Sequence, residues 1–138
     1  MAVRTREFRF QLDMASGVPV YRQLIDQVLI AMSRDTLRAG DRLPTVRQVA
    51  VDLSINPNTV VRAYKELEIR GILSTQQGTG TFITTQKVKH DDVARQRRLT
   101  ALVSDMVARA GAEGFSVNEI RQTFDELFSE EEKKRKRN

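Results

Sequence analysis

Two polar side chains one helical turn apart, Asn58 and Arg62, have the chemistry to read the edges of DNA bases. Arginine can donate two hydrogen bonds to guanine O6 and N7, and asparagine can pair with adenine N6 and N7. Each such pair discriminates against a wrong base by about 1–3 kcal/mol. Cationic neighbours such as Arg47 and Lys65 would contact phosphate, which fixes register and makes affinity depend on salt.

The segment from Thr45 to Leu53 predicts the first of two short helices that could position these side chains. Thr45 is a favourable N-cap, and Gln48 three residues later completes a capping box. An apolar stripe follows at helical spacing. It consists of Val46, Val49, Ala50 and Leu53.

A second helix is predicted from Asn56 onward, after a tight turn. Asn56 is a favourable N-cap, and Pro57 suits the first helical position, where its missing N–H would be unpaired anyway. At 100° per residue, Asn58, Arg62 and Lys65 share one face. The opposite, inner face consists of Val60, Ala63, Tyr64 and Leu67.

A predicted β-hairpin follows directly after Gly71. Residues 72–76 and 81–85 are β-prone, and the QGTG segment between them predicts a turn. Its glycines allow the tip to bring backbone close to a phosphate or the minor groove. Two helices and a hairpin in this order indicate a winged helix-turn-helix, whose second helix enters the major groove. An ordinary αα-hairpin followed by a plain β-hairpin is the structural alternative.

Four motifs in fixed order resemble the GntR family of bacterial transcription regulators: GVPVYRQL, GDRLPTVRQVA, INPNTVVRAYKELEIRGIL and QQGTGTFI. The match covers about residues 11–84. PVYRQL and NTVVRAY are similar to the YtrA subfamily and to the MocR branch, which would carry a large aminotransferase-like domain afterwards. Because only residues 85–138 follow here, the YtrA subfamily is the better match.

This resemblance implies a regulator, in most such cases a repressor, whose arginine in the L-P-x-x-R segment holds DNA. That arginine is Arg47 here. The chain departs from the family's S-R-x-T-V-R pattern, because Pro57 and Val61 replace the two arginines and Arg62 follows them. The base preference of the family's best-studied operators is therefore not implied. The expected DNA-contacting set is Thr45, Arg47, Asn56, Asn58, Thr59, Arg62, Lys65, Gln77, Gly78 and Thr79.

Two amphipathic helices are predicted in the C-terminal part, one from about Asp92 to Ala110 and one from Ser116, which forms a capping box with Glu119. Two helices cannot enclose such wide apolar faces alone, so they either fold back on the winged domain or pair with another chain. We expect pairing with a second copy. A twofold dimer places recognition helices about 34–36 Å apart on a palindrome. The YtrA-like resemblance implies the same arrangement. The expected interface is Leu99, Leu102, Val103, Met106, Phe124, Leu127 and Phe128.

The predicted fold class is mainly α with a small β-hairpin wing. A winged helix-turn-helix over residues 11–85 is expected to precede a C-terminal helical dimerisation hairpin over residues 92–132. Residues 1–10 are predicted as an N-terminal arm or strand, since Phe8, Phe10 and Leu12 alternate with polar residues, and residues 133–138 as a charged tail. A helix is also predicted from Val20 to about Leu37, ended by Ala39-Gly40. Its core stripe would be Tyr21, Leu24, Ile25, Val28 and Met32.

Composition limits the remaining possibilities. A net charge of +5 and a pI near 10.0 favour a polyanionic partner. With no cysteine and His90 as the one histidine, we predict no metal, no cofactor and no enzymatic activity. The absence of a long apolar run or signal peptide predicts a cytoplasmic protein. A small-molecule effector remains possible, but no residue specifies one. The alternative function is a winged-helix module that binds proteins without DNA, and steep salt dependence of duplex binding would argue against it.

Overall fold

The computed structural model describes residues 8–84 and 91–129, which belong to two separate compact units. The described part of the first unit contains three helices and an antiparallel hairpin, and that of the second contains two helices. In chain order they are α1 (Val20–Ser33), α2 (Val46–Leu53), α3 (Pro57–Ile69), β1 (Leu73–Gln76), β2 (Gly80–Ile83), α4 (Asp92–Ala112) and α5 (Val117–Phe128). This architecture confirms the predicted mainly α fold with a β-hairpin wing. The first residues of the predicted arm (1–7), His90 and the predicted tail (133–138) lie outside the described residues.

Local capping signals place the helix starts where the sequence predicts them. The N–H of Gln48 donates to Thr45 Oγ1 at 3.1 Å, and the N–H of Thr45 donates to Gln48 Oε1 at 2.8 Å. At the start of α3 the N–H of Asn58 donates to Asn56 Oδ1 at 2.9 Å. A second reciprocal box at Ser116 begins α5. Side-chain oxygens thus pair backbone donors that helix termini otherwise leave without partners.

Helix α3 forms the centre of the first unit, because both α1 and α2 pack against it. Its predicted inner face is confirmed: Val60, Ala63 and Leu67 are fully buried, and Tyr64 is 4% exposed. The other buried apolar side chains come from the segment ahead of α1, from α1 and α2, from the connecting segments and from the hairpin. They are Phe10, Leu24, Ile25, Val28, Ala31, Leu37, Leu43, Val49, Ala50, Leu73 and Ile83.

The predicted extent of the first helix was wrong at its C-terminus. Helix α1 ends at Ser33, and Asp35 adopts a left-handed φ of 56°. The N–H groups of Asp35 and Thr36 donate to the carbonyls of Met32 and Ala31 at 3.2 and 2.9 Å. This is the Schellman arrangement, which aspartate can serve because its short polar side chain tolerates left-handed backbone. The chain therefore turns before Ala39-Gly40, and Leu37 enters the core from a loop.

The predicted N-terminal strand was also wrong within the described residues, since residues 8–13 form no β-ladder. Two glutamines one turn apart on α1 bind this segment instead. The N–H of Gln11 donates to Gln27 Oε1 at 2.8 Å, and Gln27 Nε2 donates back to the Gln11 carbonyl. Gln23 makes the same pair of bonds with Asp13, at 2.9 and 3.0 Å. Buried and exposed side chains still alternate along this segment, because Phe10 is buried while Arg9 and Gln11 are exposed.

The hairpin is shorter than predicted and has an additional neighbour. Gly80 belongs to β2 and pairs with Gln76, which leaves a three-residue turn over 77–79. Residues 40–43 run beside β2, with a bridge between Arg42 and Phe82. The N–H of Gly40 donates to the Ile83 carbonyl at 2.8 Å, and the N–H of Leu43 to the Thr81 carbonyl at 2.8 Å. The segment ahead of α2 is thereby attached to the wing.

Candidate nucleic-acid interface

The outer face of α3 carries three exposed polar side chains, Asn58, Arg62 and Lys65. The inner face of the same helix is buried, so its orientation in the first unit is fixed. Val61, beside Arg62, is 45% exposed, and Thr59 is half-buried. The helix thus presents hydrogen-bond donors and acceptors to the surroundings from a rigid element, which is what reading base edges requires.

The hydroxyl of Tyr64 connects the back of α3 to the start of α2. It donates a hydrogen bond to the carbonyl oxygen of Pro44 at 2.5 Å. Burial raises the pKa of Tyr64, because the charged phenolate would lose its hydration. Pro44 immediately precedes the N-cap Thr45, so this bond fixes the start of α2 relative to the outer face of α3.

Arg62 stacks on an aromatic ring of another helix. Its Cζ lies 3.7 Å from the ring centre of Tyr21, in the first turn of α1. A guanidinium over an aromatic face is attracted by the negative face of the ring. The sequence assigned Tyr21 to the core stripe of α1, and the ring is indeed half-buried, but this second contact was missed. The only local signal was an aromatic residue in a helix's first turn.

The start of α2 presents Thr45 and Arg47. Both residues are exposed. Thr45 Oγ1 already accepts the Gln48 N–H, but its hydroxyl hydrogen remains available to an acceptor such as a phosphate oxygen. Arg47 extends from the first turn of α2. These two residues have the chemistry of backbone contacts more than of base contacts.

The wing tip consists of Gln77, Gly78 and Thr79, all exposed. Gly78 has a φ of 80°, and the N–H of Thr79 closes the turn onto the Gln76 carbonyl at 3.0 Å. Positive φ at this place in a four-residue turn favours glycine. The tip therefore presents backbone, with little side-chain bulk at its centre.

Arg42 is a second arginine that the sequence did not single out. Gly80 has a φ of 134°, and a Cβ added there would lie 2.8 Å from Arg42 Nε. The arginine side chain thus lies directly against the backbone of β2. This contact depends on pairing between residues that are forty positions apart, so no local sequence pattern announces it.

The ten predicted DNA-contacting residues lie at three places of the first unit: the start of α2, the N-terminal part and outer face of α3, and the wing tip. All of them are exposed except Thr59, which is half-buried. The structure brings Asn58, Arg62 and Lys65 onto one helix face.

The second unit presents the residues predicted for dimerisation. No residue of α4 or α5 is buried. On α5 the rings of Phe124 and Phe128 lie 4.9 Å apart, and Phe128 is half-buried. The other six are exposed by about half or more: Leu99 53%, Leu102 50%, Val103 47%, Met106 46%, Phe124 57% and Leu127 63%.

The part of the chain that the structure describes contains neither a membrane-spanning helix nor a cluster of metal ligands. Among residues 8–84 and 91–129, no helix combines the length and apolar character needed to cross a bilayer. The same residues contain no group of three or more acidic, histidine or cysteine side chains arranged to hold a metal ion.

The chain is similar in sequence to known bacterial regulatory proteins. Residues 20–83 match the family model for bacterial regulatory proteins of the gntR family. YhcF of Bacillus subtilis, an uncharacterised HTH-type transcriptional regulator, is 35% identical over 115 residues, which cover 82% of this chain and 87% of YhcF. YtrA of the same organism, an HTH-type transcriptional repressor, is 45% identical over 74 residues, covering 54% of this chain and 57% of YtrA.

A solved structure is similar over most of its length. It is YtrA from Sulfolobus acidocaldarius, a GntR-family transcription factor, with a TM-score of 0.55 at 25% identity. The superposition covers 72% of this chain and 97% of that one.

Proposed function

The chain belongs to the gntR family of bacterial regulatory proteins and fits its YtrA-like subfamily, and from this premise we propose that it represses transcription as a homodimer on a palindromic operator. It is a DNA-binding transcriptional regulator and not an enzyme. The observation that most supports this function is the exposed polar face of α3, held from behind by buried residues.

Base reading is assigned to Asn58 and Arg62. Both side chains extend from the N-terminal half of α3, which is the part of a recognition helix that meets base edges. Arg62 has the fork geometry for guanine O6 and N7, and Asn58 the paired donor and acceptor for adenine N6 and N7. Thr59 is half-buried beside them. Its hydroxyl can form a hydrogen bond with a base edge, or its methyl group can contact the methyl group of a thymine.

Phosphate binding is assigned to residues around this face. Arg47 and Lys65 supply positive charge, and the wing tip and Thr45 supply hydrogen-bond donors. Such contacts carry no sequence information, but they fix the register of the recognition helix on the duplex. Asn56 is assigned the role of holding the start of the recognition helix in place, because its side-chain oxygen already accepts the N–H of Asn58.

Self-association is assigned to the second unit. Large apolar side chains that stay about half exposed on α4 and α5 form an apolar surface of the kind that marks protein–protein contacts. A twofold pairing of this surface would give the dimer the same symmetry as a palindromic site. The region proposed to do this is 92–132, and the DNA-binding region is 11–85.

The proposed place of action is the bacterial cytoplasm, where the chromosomal operator lies. Repression is proposed because YtrA of B. subtilis is a transcriptional repressor and is 45% identical to this chain over 74 residues.

Selection of duplexes from a random pool by the full chain tests this function. We expect one palindromic sequence to be enriched. The logarithm of its binding constant should fall linearly with the logarithm of salt concentration, by about 0.9 for each phosphate neutralised. Sedimentation of the complex should show two chains on each duplex.

Equal binding of every duplex, without enrichment, would contradict sequence-specific regulation. A single chain bound to the selected duplex would contradict the dimer alone. A transcription assay on a promoter containing the selected site then separates repression from activation.

A further inference from the structure

We propose that Tyr21 is a positioning residue for DNA recognition: its ring holds the guanidinium of Arg62 in the orientation that reads a base. This inference rests on the proposed function, because it assumes that Arg62 meets the major groove. It concerns a residue of α1, outside the helix pair, and it assigns that residue an effect on specificity through another side chain.

The two residues meet across a rigid junction of helices. Tyr21 lies in the first turn of α1, and Arg62 lies in the first half of α3. Helices α1 and α3 pack together, and Leu24 and Val28 of α1 are fully buried. The ring of Tyr21 therefore has a fixed support, and the 3.7 Å distance from Arg62 Cζ to the ring centre is well within cation–π range.

Charged neighbours do not compete for this arginine. Glu66 follows Arg62 by one helical turn and would be its natural ion-pair partner. However, Glu66 Oε1 instead accepts from Arg70 Nε at 3.2 Å. Within residues 8–84, no ion pair joins Arg62 to a carboxylate, so the aromatic ring is its principal partner.

A stacked arginine suits base reading for a physical reason. A free arginine side chain loses much rotamer freedom when it forms a bidentate contact, and this loss weakens binding. The ring restricts that freedom before DNA arrives. Stacking engages the face of the guanidinium, whereas hydrogen bonds to guanine use the N–H groups at its edge. The same arginine can therefore satisfy both partners.

The experiment compares variants on duplexes defined by the wild-type chain. The duplex that wild type selects from a random pool, and its single-base substitutions, serve as probes for Tyr21→Leu, Tyr21→Phe, Arg62→Ala and the double variant Tyr21→Leu/Arg62→Ala. Leucine removes the aromatic face, whereas phenylalanine retains it. Thermal melting of each variant reports folding separately, since the Tyr21 ring is half-buried.

We expect Tyr21→Leu to lower discrimination at one base pair by about two- to fivefold, the effect of an exposed cation–π contact. That base pair should be the one at which Arg62→Ala loses discrimination. Tyr21→Phe should retain wild-type discrimination. In the Arg62→Ala background, Tyr21→Leu should have no further effect at that base pair, because coupled residues are not additive.

Two results would overturn the inference. One is a uniform loss of affinity for all probes in Tyr21→Leu, additive with Arg62→Ala, which would indicate an independent structural or phosphate-contacting role. The other is unchanged discrimination in a folded Tyr21→Leu variant. Failure of the wild-type chain to enrich any duplex would instead contradict the proposed function itself.

Discussion

The two units of this protein bury their apolar side chains to very different extents. In the first unit, Leu24, Val28, Val60 and Leu67 are almost fully removed from solvent. In the described part of the second unit no residue is buried, and Leu127 remains 63% exposed. Burial of apolar surface is the main favourable contribution to folding. The first unit therefore has its own core, and we expect the second to gain most of its stability by pairing with another copy.

Truncation of a core side chain tests the first half of this contrast. Leu24→Ala should lower the free energy of unfolding by about 2–5 kcal/mol, because the side chain is fully buried and leaves a cavity. Urea denaturation followed by circular dichroism measures this change. The matched variant Ile69→Ala removes an apolar side chain that is 74% exposed on α3, and should change stability by about 0.5 kcal/mol or less. Similar losses in both variants would contradict an independent core.

A charge placed on α4 tests whether the second unit is stabilised by pairing with another copy. Leu102→Asp should raise the dissociation constant of the proposed dimer by about 100-fold, because the twofold interface would bury two unpaired carboxylates, one from each copy. Analytical ultracentrifugation over a range of concentrations measures the shift. Ala101→Asp adds the same charge to the adjacent exposed position, which helical geometry turns away from the predicted interface. Equal dissociation in both variants, or a wild-type monomer at micromolar concentration, would disprove the assigned surface.

The wing should behave as part of the first unit. Gly80→Ala should cost about 1–3 kcal/mol of unfolding free energy, because alanine rarely adopts a φ of 134° and its Cβ would displace Arg42. The control is Gly78→Ala. Gly78 also has a positive φ, of 80°, but an added methyl group would meet no neighbouring atom, so this variant measures the backbone strain alone. Denaturant unfolding compares the two. If the collision contributes, Arg42→Ala should recover part of the loss in Gly80→Ala and none in Gly78→Ala.

A smaller change in the free energy of unfolding is expected on substitution of Tyr64. Tyr64→Phe removes the hydrogen bond to the Pro44 carbonyl and should cost about 1 kcal/mol at neutral pH. Burial raises the pKa of Tyr64, so the folded state retains its proton after the unfolded chain begins to ionise near pH 10. The stability of the wild type should thus fall as pH rises above about 10, while phenylalanine cannot titrate.

Denaturation at several values between pH 8 and 11 measures this difference. The stability advantage of the wild type over Tyr64→Phe should narrow with rising pH. A constant gap would show that the phenol ionises equally easily in both states.

Local features of the first and second units were readable from sequence alone. Thr45 with Gln48, and Ser116 with Glu119, are capping boxes that act within three residues, and both form as predicted. The inner face of α3 followed from helical spacing. Asp35 was a local signal too, but glycine is the commoner helix-ending residue, so the end of the helix was predicted at Ala39-Gly40 and the earlier turn was missed.

Contacts between distant residues could not be predicted in the same way. The hydrogen bonds of Gln23 and Gln27 to residues 11–13 replace a β-ladder, although the alternating pattern there favoured a strand. The bridge between Arg42 and Phe82 and the stacking of Arg62 on Tyr21 join residues about forty positions apart. Such pairs depend on how helices and strands pack, and the type of a single residue does not indicate which distant residue it will contact.

The most direct test compares Arg62→Ala with Lys65→Ala on the wild-type-selected duplex and its single-base substitutions. We predict that Arg62→Ala loses discrimination by about 1–3 kcal/mol at one base position only. Lys65→Ala should weaken binding to every duplex alike and reduce the salt slope by about 1. Equal losses on all duplexes for both variants would contradict base reading by the outer face of α3.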